Sequence, residues 1–212
     1  MTDISIIDYN AGNLFSIKSA CEKVGLNAII TGNPEVIINS KAAILPGVGA
    51  FGEAMINLKS NQLDKVIVDF ISQEKPMLGI CLGMQLLFDK SEEFGSSSGL
   101  GIIRGTVNKF DFKESELKKQ IPHTGWNTIR ADEKDWSKSI LSMNNQNDFM
   151  YFVHSYYCTP EDKRNILSMT NYGGIDFCSA ISYKNVFATQ FHPEKSGEKG
   201  LNIYKEFRNL IS

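Results

Sequence analysis

Short apolar runs alternate with helical patterns through the N-terminal part of the chain, and no other feature narrows the possible folds as far. Ile4-Ser5-Ile6-Ile7-Asp8 reads as a buried strand. Asn13 then precedes a helical pattern with Ile17, Ala20, Cys21 and Val24 on one face, stopped by Gly25. Residues 28–30 and 42–45 read as further strands. Helical stretches at 53–58 and 62–73 follow, then a strand at 77–80 and a helix over 82–88. Strand and helix at this spacing build right-handed β-α-β units and a mainly parallel sheet.

Past the polar, Ser/Gly-rich stretch 91–99 the character changes. Strand-like runs at 106–110, 128–130, 149–153, 166–170, 177–181 and 186–190 predict hairpins and antiparallel additions to the same sheet system. Residues 201–210 predict a closing helix with Ile203, Phe207 and Leu210 toward the core, and the charged segments 113–119 and 132–138 read as exposed loops. The expectation is an α/β fold: a mixed, mainly parallel central sheet with flanking helices and antiparallel additions in the C-terminal half. At 212 residues it fits one domain, 1–212, large enough to bury a core without staples.

With 42% hydrophobic and 22% charged residues and a net charge of -2, nothing favours nucleic acid or an anionic membrane as a partner. No apolar run approaches the roughly 20 residues that span a bilayer. The four cysteines, Cys21, Cys81, Cys158 and Cys178, form no Cys-x-x-Cys pair, and no secretory leader is visible. A reduced, cytoplasmic setting is the expectation.

Two strings carry chemistry. In Gly79-Ile80-Cys81-Leu82-Gly83 a thiol stands between glycines where a strand gives way to a helix. Glycines in those places let a nucleophile stand clear at a tight bend, and the first N–H groups of the helix face the sulfur and any oxyanion beside it. A packing cysteine at a strand end is the alternative, and it is the reading for Cys21, Cys158 and Cys178, which lack paired glycines. In Phe191-His192-Pro193-Glu194 the proline restrains the chain, and side chains at i and i+2 of an extended segment share a face. Glu194 can then hold one nitrogen of His192 while the other serves the thiol as base. His154 and His123 are rival bases without a carboxylate two residues on.

A third string, Leu45-Pro46-Gly47-Val48-Gly49-Ala50-Phe51-Gly52, follows a strand and lacks the Gly-Lys-Ser/Thr ending of a phosphate loop. Beside the thiol it could donate an N–H to a tetrahedral intermediate, and Gly47 lets the next peptide flip. Turn glycines without a catalytic part are the alternative.

With Asp8 to Leu14, Pro122 to Asn127, Tyr151 to Tyr156 and Gln190 to Ser196, these strings resemble the class I (triad) glutamine amidotransferases nearly end to end and in order. The resemblance implies flavodoxin-like layering and a glutaminase that splits L-glutamine into glutamate and ammonia through a cysteinyl thioester. It implies a triad of Cys81, His192 and Glu194, and an oxyanion hole from the N–H groups of Val48 and Leu82. Glutamine would be held by Gly49, Gln85, Glu93, His154, Ser155 and Tyr156. No metal or cofactor is implied. The nearest branch works as a heterodimer with a (β/α)8-barrel cyclase of histidine biosynthesis, to which the ammonia is channelled. Asn13, His123, Trp126, Asn127 and Lys195 match its interface positions. This chain departs from the usual pattern at Asn10, where glycine is common, at Thr124, and in the hairpin around Gly173-Gly174. A paralogue feeding a surface-sugar amidation enzyme, a free-standing γ-glutamyl hydrolase and a non-catalytic interaction subunit are the alternatives.

Overall fold

The computed structural model describes residues 3–112, 119–132 and 135–211. In chain order its elements are β1 (Ile4–Ile7), α1 (Leu14–Lys23), β2 (Ala28–Thr31), α2 (Pro34–Ile38), β3 (Ala42–Leu45), α3 (Phe51–Ser60) and α4 (Leu63–Ser72). Then come β4 (Met77–Ile80), α5 (Leu82–Leu86), β5 (Phe88–Ser91), β6 (Ser97–Ser98), β7 (Ile103–Lys109), β8 (His123–Thr128) and β9 (Phe149–His154). The chain continues with β10 (Tyr156–Pro160), β11 (Ile166–Tyr172), β12 (Ile175–Tyr183), β13 (Val186–Thr189) and α6 (Gly197–Asn209).

The main sheet runs β2-β1-β3-β4-β13-β12-β10-β7-β5-β6, with β11 paired to β12. The first five of these strands are parallel, and antiparallel pairing begins where β13 meets β12. Strands β1, β3, β4 and β13 are buried at every residue, as a sheet covered on both faces requires. One apolar layer under α1 and α6 includes Ile17, Cys21, Ile203, Tyr204 and Phe207, and the layer across the sheet includes Phe51, Leu58, Ile67 and Phe70 from α3 and α4.

The most consequential pairing is β4 with β13. Their register sets Ile80 against Thr189, and the Cys81 N–H donates to the Thr189 carbonyl at 2.7 Å. Two strings far apart in sequence therefore leave the same edge of the sheet side by side, at the carboxyl ends where open α/β sheets build their sites.

Several expectations needed correction. The helix expected over 82–88 stops at Leu86, because N–H groups of Leu100, Ile102 and Gly101 take the carbonyls of Leu86, Leu87 and Phe88 and draw the chain into β5. The strand expected at 128–130 lies earlier, at His123–Thr128, paired with β9 in a separate two-stranded sheet, while Arg130 makes only a bridge to Met169. Gly125 and Asn127 are poor strand formers, and pairing with β9 overrides them. Helix α2 and strand β10 had no clear periodic signal. Leu210 falls past the end of α6 and is 46% exposed, and Tyr204 takes its expected place in the core. Of the two charged segments read as exposed loops, 113–118 and 133–134 lie outside the described residues. Trp136 is buried and donates from Nε1 to the Leu167 carbonyl at 2.7 Å. Asn10 adopts φ +66°, a left-handed conformation that glycine enters freely and asparagine tolerates, which accounts for that departure.

Candidate active site

Cys81 sits between β4 and α5 with φ +53° and ψ -107°. For a residue bearing a side chain this backbone costs on the order of 1–3 kcal/mol and persists only where its surroundings enforce it. They do so through the glycines. A Cβ on Gly83 would lie 1.9 Å from the Leu45 carbonyl oxygen, and one on Gly79 would sit 3.1 Å from the Gly83 oxygen. The bend is therefore clamped against the end of β3. Helix α5 has only five residues, so it contributes the free N–H groups of a first turn, Leu82 among them, more than a macrodipole.

The strip after β3 presses on the same bend. A Cβ on Gly47 would fall 2.8 Å from the Leu82 Cβ and 3.1 Å from the Gly83 nitrogen. Tyr9, fully buried, donates its hydroxyl to the Pro46 carbonyl at 2.6 Å and holds the strip from below. Burial first and Cys81 second raise its pKa, so the phenol stays a donor. Val48 is 45% exposed at the mouth, and Gly49 adopts φ +106°.

His192 lies three residues past β13 and is 2% exposed. Its Nδ1 meets Glu194 Oε1 at 2.8 Å, and the Glu194 side chain is fully buried. The expected pairing is there, but the backbone that makes it is a 3-10 turn, Pro193–Lys195, in place of an extended strand. The turn is tied to β9: the His192 N–H donates to the Tyr151 carbonyl at 2.9 Å, and Ser196 Oγ accepts from the Tyr151 N–H at 3.0 Å. Burial opposes a charged ring, but the Cys81 thiol and then the Glu194 carboxylate outweigh it and push His192 up to about 10. The ring therefore holds its proton at neutral pH. The thiol itself is directed at the Val153 carbonyl, 3.7 Å away, and Gln190 Nε2 lies 3.6 Å from the sulfur. His192 Nε2 makes no hydrogen bond. Cys81 is thus close enough to influence the ring, although Sγ and Nε2 form no hydrogen bond here.

A cavity of about 300 Å³ opens over the sulfur, lined by Val48, Gly49, Cys81, Leu82, Gln85 and Glu93 on one side. Pro122, Val153, His154, Ser155 and Tyr156 line the other. That volume suits a free amino acid. Gln85 Nε2 is committed to the Tyr156 carbonyl (3.0 Å) and Gln190 Oε1 (3.1 Å), which leaves Oε1 to meet a ligand. Glu93 is more than one member of a charge run: its Oε2 accepts from the Phe51 N–H at 2.6 Å, at the start of α3. Sequence reasoning missed Tyr9, Gln190, Pro122 and Val153. Only Gln190 carried a usable signal, two residues before His192.

The three histidines divide cleanly. His154 Nδ1 donates to the Tyr156 carbonyl at 2.8 Å, so its Nε2 accepts from His123 Nδ1 at 3.0 Å. His123 Nε2 in turn accepts from Asn127 Nδ2 at 3.3 Å. Burial lowers His123 to about 4 and, helped by the charges of His123 and His192, lowers His154 to about 3. Both rings are neutral wall, and of the three only His192 pairs with a carboxylate.

These shifts have a linkage consequence. The unfolded chain binds protons on His123 and His154 below about 6.5 that the native state refuses. Their contribution to stability is therefore whole above that pH and is lost as pH falls through about 4 and about 3. His192 runs the other way, with its contribution whole below about 6.5 and lost as pH rises through about 10. Guanidinium midpoints measured from pH 4.5 to 8.5 are expected to peak near ~6.5. A midpoint that does not fall between pH 6.5 and 4.5 contradicts the neutral pair.

The positions that the resemblance assigns to an interface differ in exposure. Asn13 and Lys195 are exposed, Asn127 is half-buried, and Trp126 is 56% exposed. Trp126 meets Tyr151 edge to face at 6.0 Å, and the Lys195 ammonium stands 5.8 Å from the same ring. Phe15, 81% exposed, flanks Asn13. His123 differs from the expectation of a surface contact, because its ring is only 3% exposed and stacks on Tyr172 with centroids 3.9 Å apart.

Compared with known proteins, the sequence matches the family described as glutamine amidotransferase class-I over residues 5–209. It is 42% identical over 210 residues to the "Imidazole glycerol phosphate synthase subunit HisH" of Sulfurimonas denitrificans, covering 98% of this chain and 99% of that one. To the "Imidazole glycerol phosphate synthase subunit HisH 1" of Methanococcus maripaludis it is 46% identical over 212 residues, covering 98% of this chain and 100% of the other. The solved "Structure of PurLQS from Thermotoga maritima" superposes with a TM-score of 0.76 at 17% identity, covering 100% of both chains, a likeness of fold alone.

Proposed function

This chain belongs to the class-I glutamine amidotransferase family, and from that premise we propose how its site releases ammonia and where the ammonia goes. It is a glutaminase that serves as a subunit of an imidazole glycerol phosphate synthase, the role named for its full-length relatives. The observation that carries the mechanism is the cavity with Cys81 at its floor and the His192–Glu194 pair behind the sulfur.

Glutamine enters with its α-ammonium toward Glu93 and Gln85 Oε1, and its side-chain amide reaches the elbow. The Cys81 sulfur attacks the amide carbon, and the carbonyl electron pair moves onto oxygen. The Leu82 N–H, unpaired at the start of α5, and the Val48 N–H receive that charge. As the C–N bond breaks, His192 gives its proton to the departing ammonia, leaving a γ-glutamyl thioester on Cys81. Water then attacks the thioester, His192 takes up its proton, and glutamate leaves. Glu194 keeps the ring aimed throughout.

Glu93→Gln tests the pocket. The amide still accepts from the Phe51 N–H but no longer pairs with an ammonium, so KM for glutamine is expected to rise ~10- to 100-fold with kcat nearly unchanged. An unaltered KM, with the loss confined to kcat, removes Glu93 from substrate binding.

The partner is a (β/α)8-barrel cyclase that docks on the edge marked by Asn13, Trp126, Asn127 and Lys195 and receives the ammonia. In support, two of the large apolar side chains that stand exposed, Phe15 and Trp126, lie next to these positions in the chain or among them. The same docking would set the strip at Gly47-Val48, whose N–H is worth ~10²- to 10³-fold in rate. Glutamate release is therefore expected to be slow for the chain alone and to rise by that factor with the cyclase and its nucleotide. Vigorous turnover without any partner points instead to a free-standing hydrolase, and stimulation by a sugar-amidating enzyme alone points to the paralogue.

A further inference from the structure

We propose that Tyr204 is a positioning residue for the catalytic carboxylate, its hydroxyl donating toward Glu194 Oε2 across a single bridging water. The proposal rests on the triad reading above and adds a fourth member to it.

Glu194 has two oxygens, and only Oε1 is used by His192. Oε2 is fully buried without a hydrogen-bond partner among the described residues, and the Tyr204 hydroxyl is in the same condition. A buried carboxylate oxygen or phenol left unpaired is destabilising, and Glu194 is near enough to act on Tyr204, so two such groups of complementary kind point to each other.

The packing of α6 brings them together. Gly200 lies so close to the 3-10 turn that a Cβ there would stand 1.9 Å from the Pro193 carbonyl oxygen. Tyr204 is four residues on, one turn above Gly200 on the same face. Helical side chains lean toward the helix N-terminus, so the ring of Tyr204 leans back toward Gly200 and the Pro193 carbonyl packed against it, on the side of Glu194. Burial first, and then the charge of Glu194, raise the Tyr204 pKa well above its ordinary value, so the hydroxyl keeps its proton and the carboxylate lies within its electrostatic reach. The groups facing this pair are His192 from the turn and Cys21 from α1, itself raised to about 12 by burial and so neutral. Lys23 of α1 lines the outer side of the turn.

A donor at Oε2 fixes the rotation of the carboxylate and so the aim of the imidazole at Cys81, as a supporting shell does for a ligating or catalytic histidine. It touches no substrate atom, so its loss falls on the chemical step.

The test is Tyr204→Phe in the reconstituted enzyme, which removes one oxygen and keeps the ring. The expected result is a ~10-fold lower kcat with KM for glutamine and the denaturation midpoint unchanged, and a shifted low-field proton resonance for the His192–Glu194 hydrogen bond. Tyr204→Leu provides the contrast: it opens a cavity and lowers stability as well. If Tyr204→Phe leaves kcat and that resonance as they were while Cys81→Ala is inactive, the proposal is overturned and the triad reading stands. If kcat follows stability across both variants, Tyr204 is packing only and the proposal is equally overturned. A wild-type pair with no glutaminase activity would instead defeat the underlying reading.

Discussion

Cys81→Ala will leave a folded protein that binds glutamine and fails to split it, with kcat lowered by at least about 10⁴-fold. The size of the loss follows from what the sulfur does. In the proposed mechanism it forms the bond that divides one difficult step into two, and no other described side chain lining the cavity is a comparable nucleophile. Binding survives because Glu93, Gln85 and the 154–156 wall are held by their own contacts, to Phe51, Gln190 and His123. A second readout accompanies the first. Cys81 is the neighbour that most favours the charged form of His192. Without it the ring should titrate nearer the ordinary histidine range, visible by NMR. A variant that still turns over glutamine at a tenth of the native rate would remove Cys81 as nucleophile.

Gly83→Ala is expected to be among the most damaging changes to the fold that a single methyl group can make here. The added Cβ would meet the Leu45 oxygen at 1.9 Å and the Leu45 carbonyl carbon at 2.8 Å, both backbone atoms at the end of a fully buried strand. Neither can swing aside as a side chain does, so β3 and the elbow must part. Overpacking of this kind typically costs ~1–3 kcal/mol, and a clash with backbone belongs at or beyond the upper end. The strip Pro46 to Val48 moves with β3, so activity should fall further than stability alone explains. Gly79→Ala is the milder companion, since its Cβ would meet three atoms at 3.1 Å each, close but within reach of small adjustments. Urea denaturation of the two variants should rank Gly83→Ala well below Gly79→Ala. Equal midpoints would mean that the elbow is not clamped as described.

The parallel half of the sheet was legible because its strands are buried on both faces and punctuated by helices of clear period, and Gly79-x-Cys81-x-Gly83 announced its own bend. The His192–Glu194 pair was legible too, although the argument from an extended strand was not the one the backbone uses. A short 3-10 turn leaves no periodic signature, and it happens to bring the same two side chains together. Other parts depend on contacts distant in sequence. The end of α5 is decided by N–H groups from residues 100–102, and the start of β8 by its pairing with β9, which no local propensity encodes. Tyr9 beneath Pro46 and Tyr204 against the turn are single aromatic residues with no pattern around them to mark a role, and the sequence singled out neither. The neutral His123–His154 pair needed the hydrogen-bond chain to Tyr156 before its tautomers could be assigned.

Rapid acid quenching of the reconstituted enzyme during turnover, followed by mass analysis of the peptide bearing Cys81, tests the acyl-transfer account most directly. This peptide is expected to carry the mass of a γ-glutamyl group, which hydroxylamine removes and Cys81→Ala abolishes. Turnover at full rate with the Cys81 peptide always unmodified, or with the glutamyl group on another residue, would contradict it.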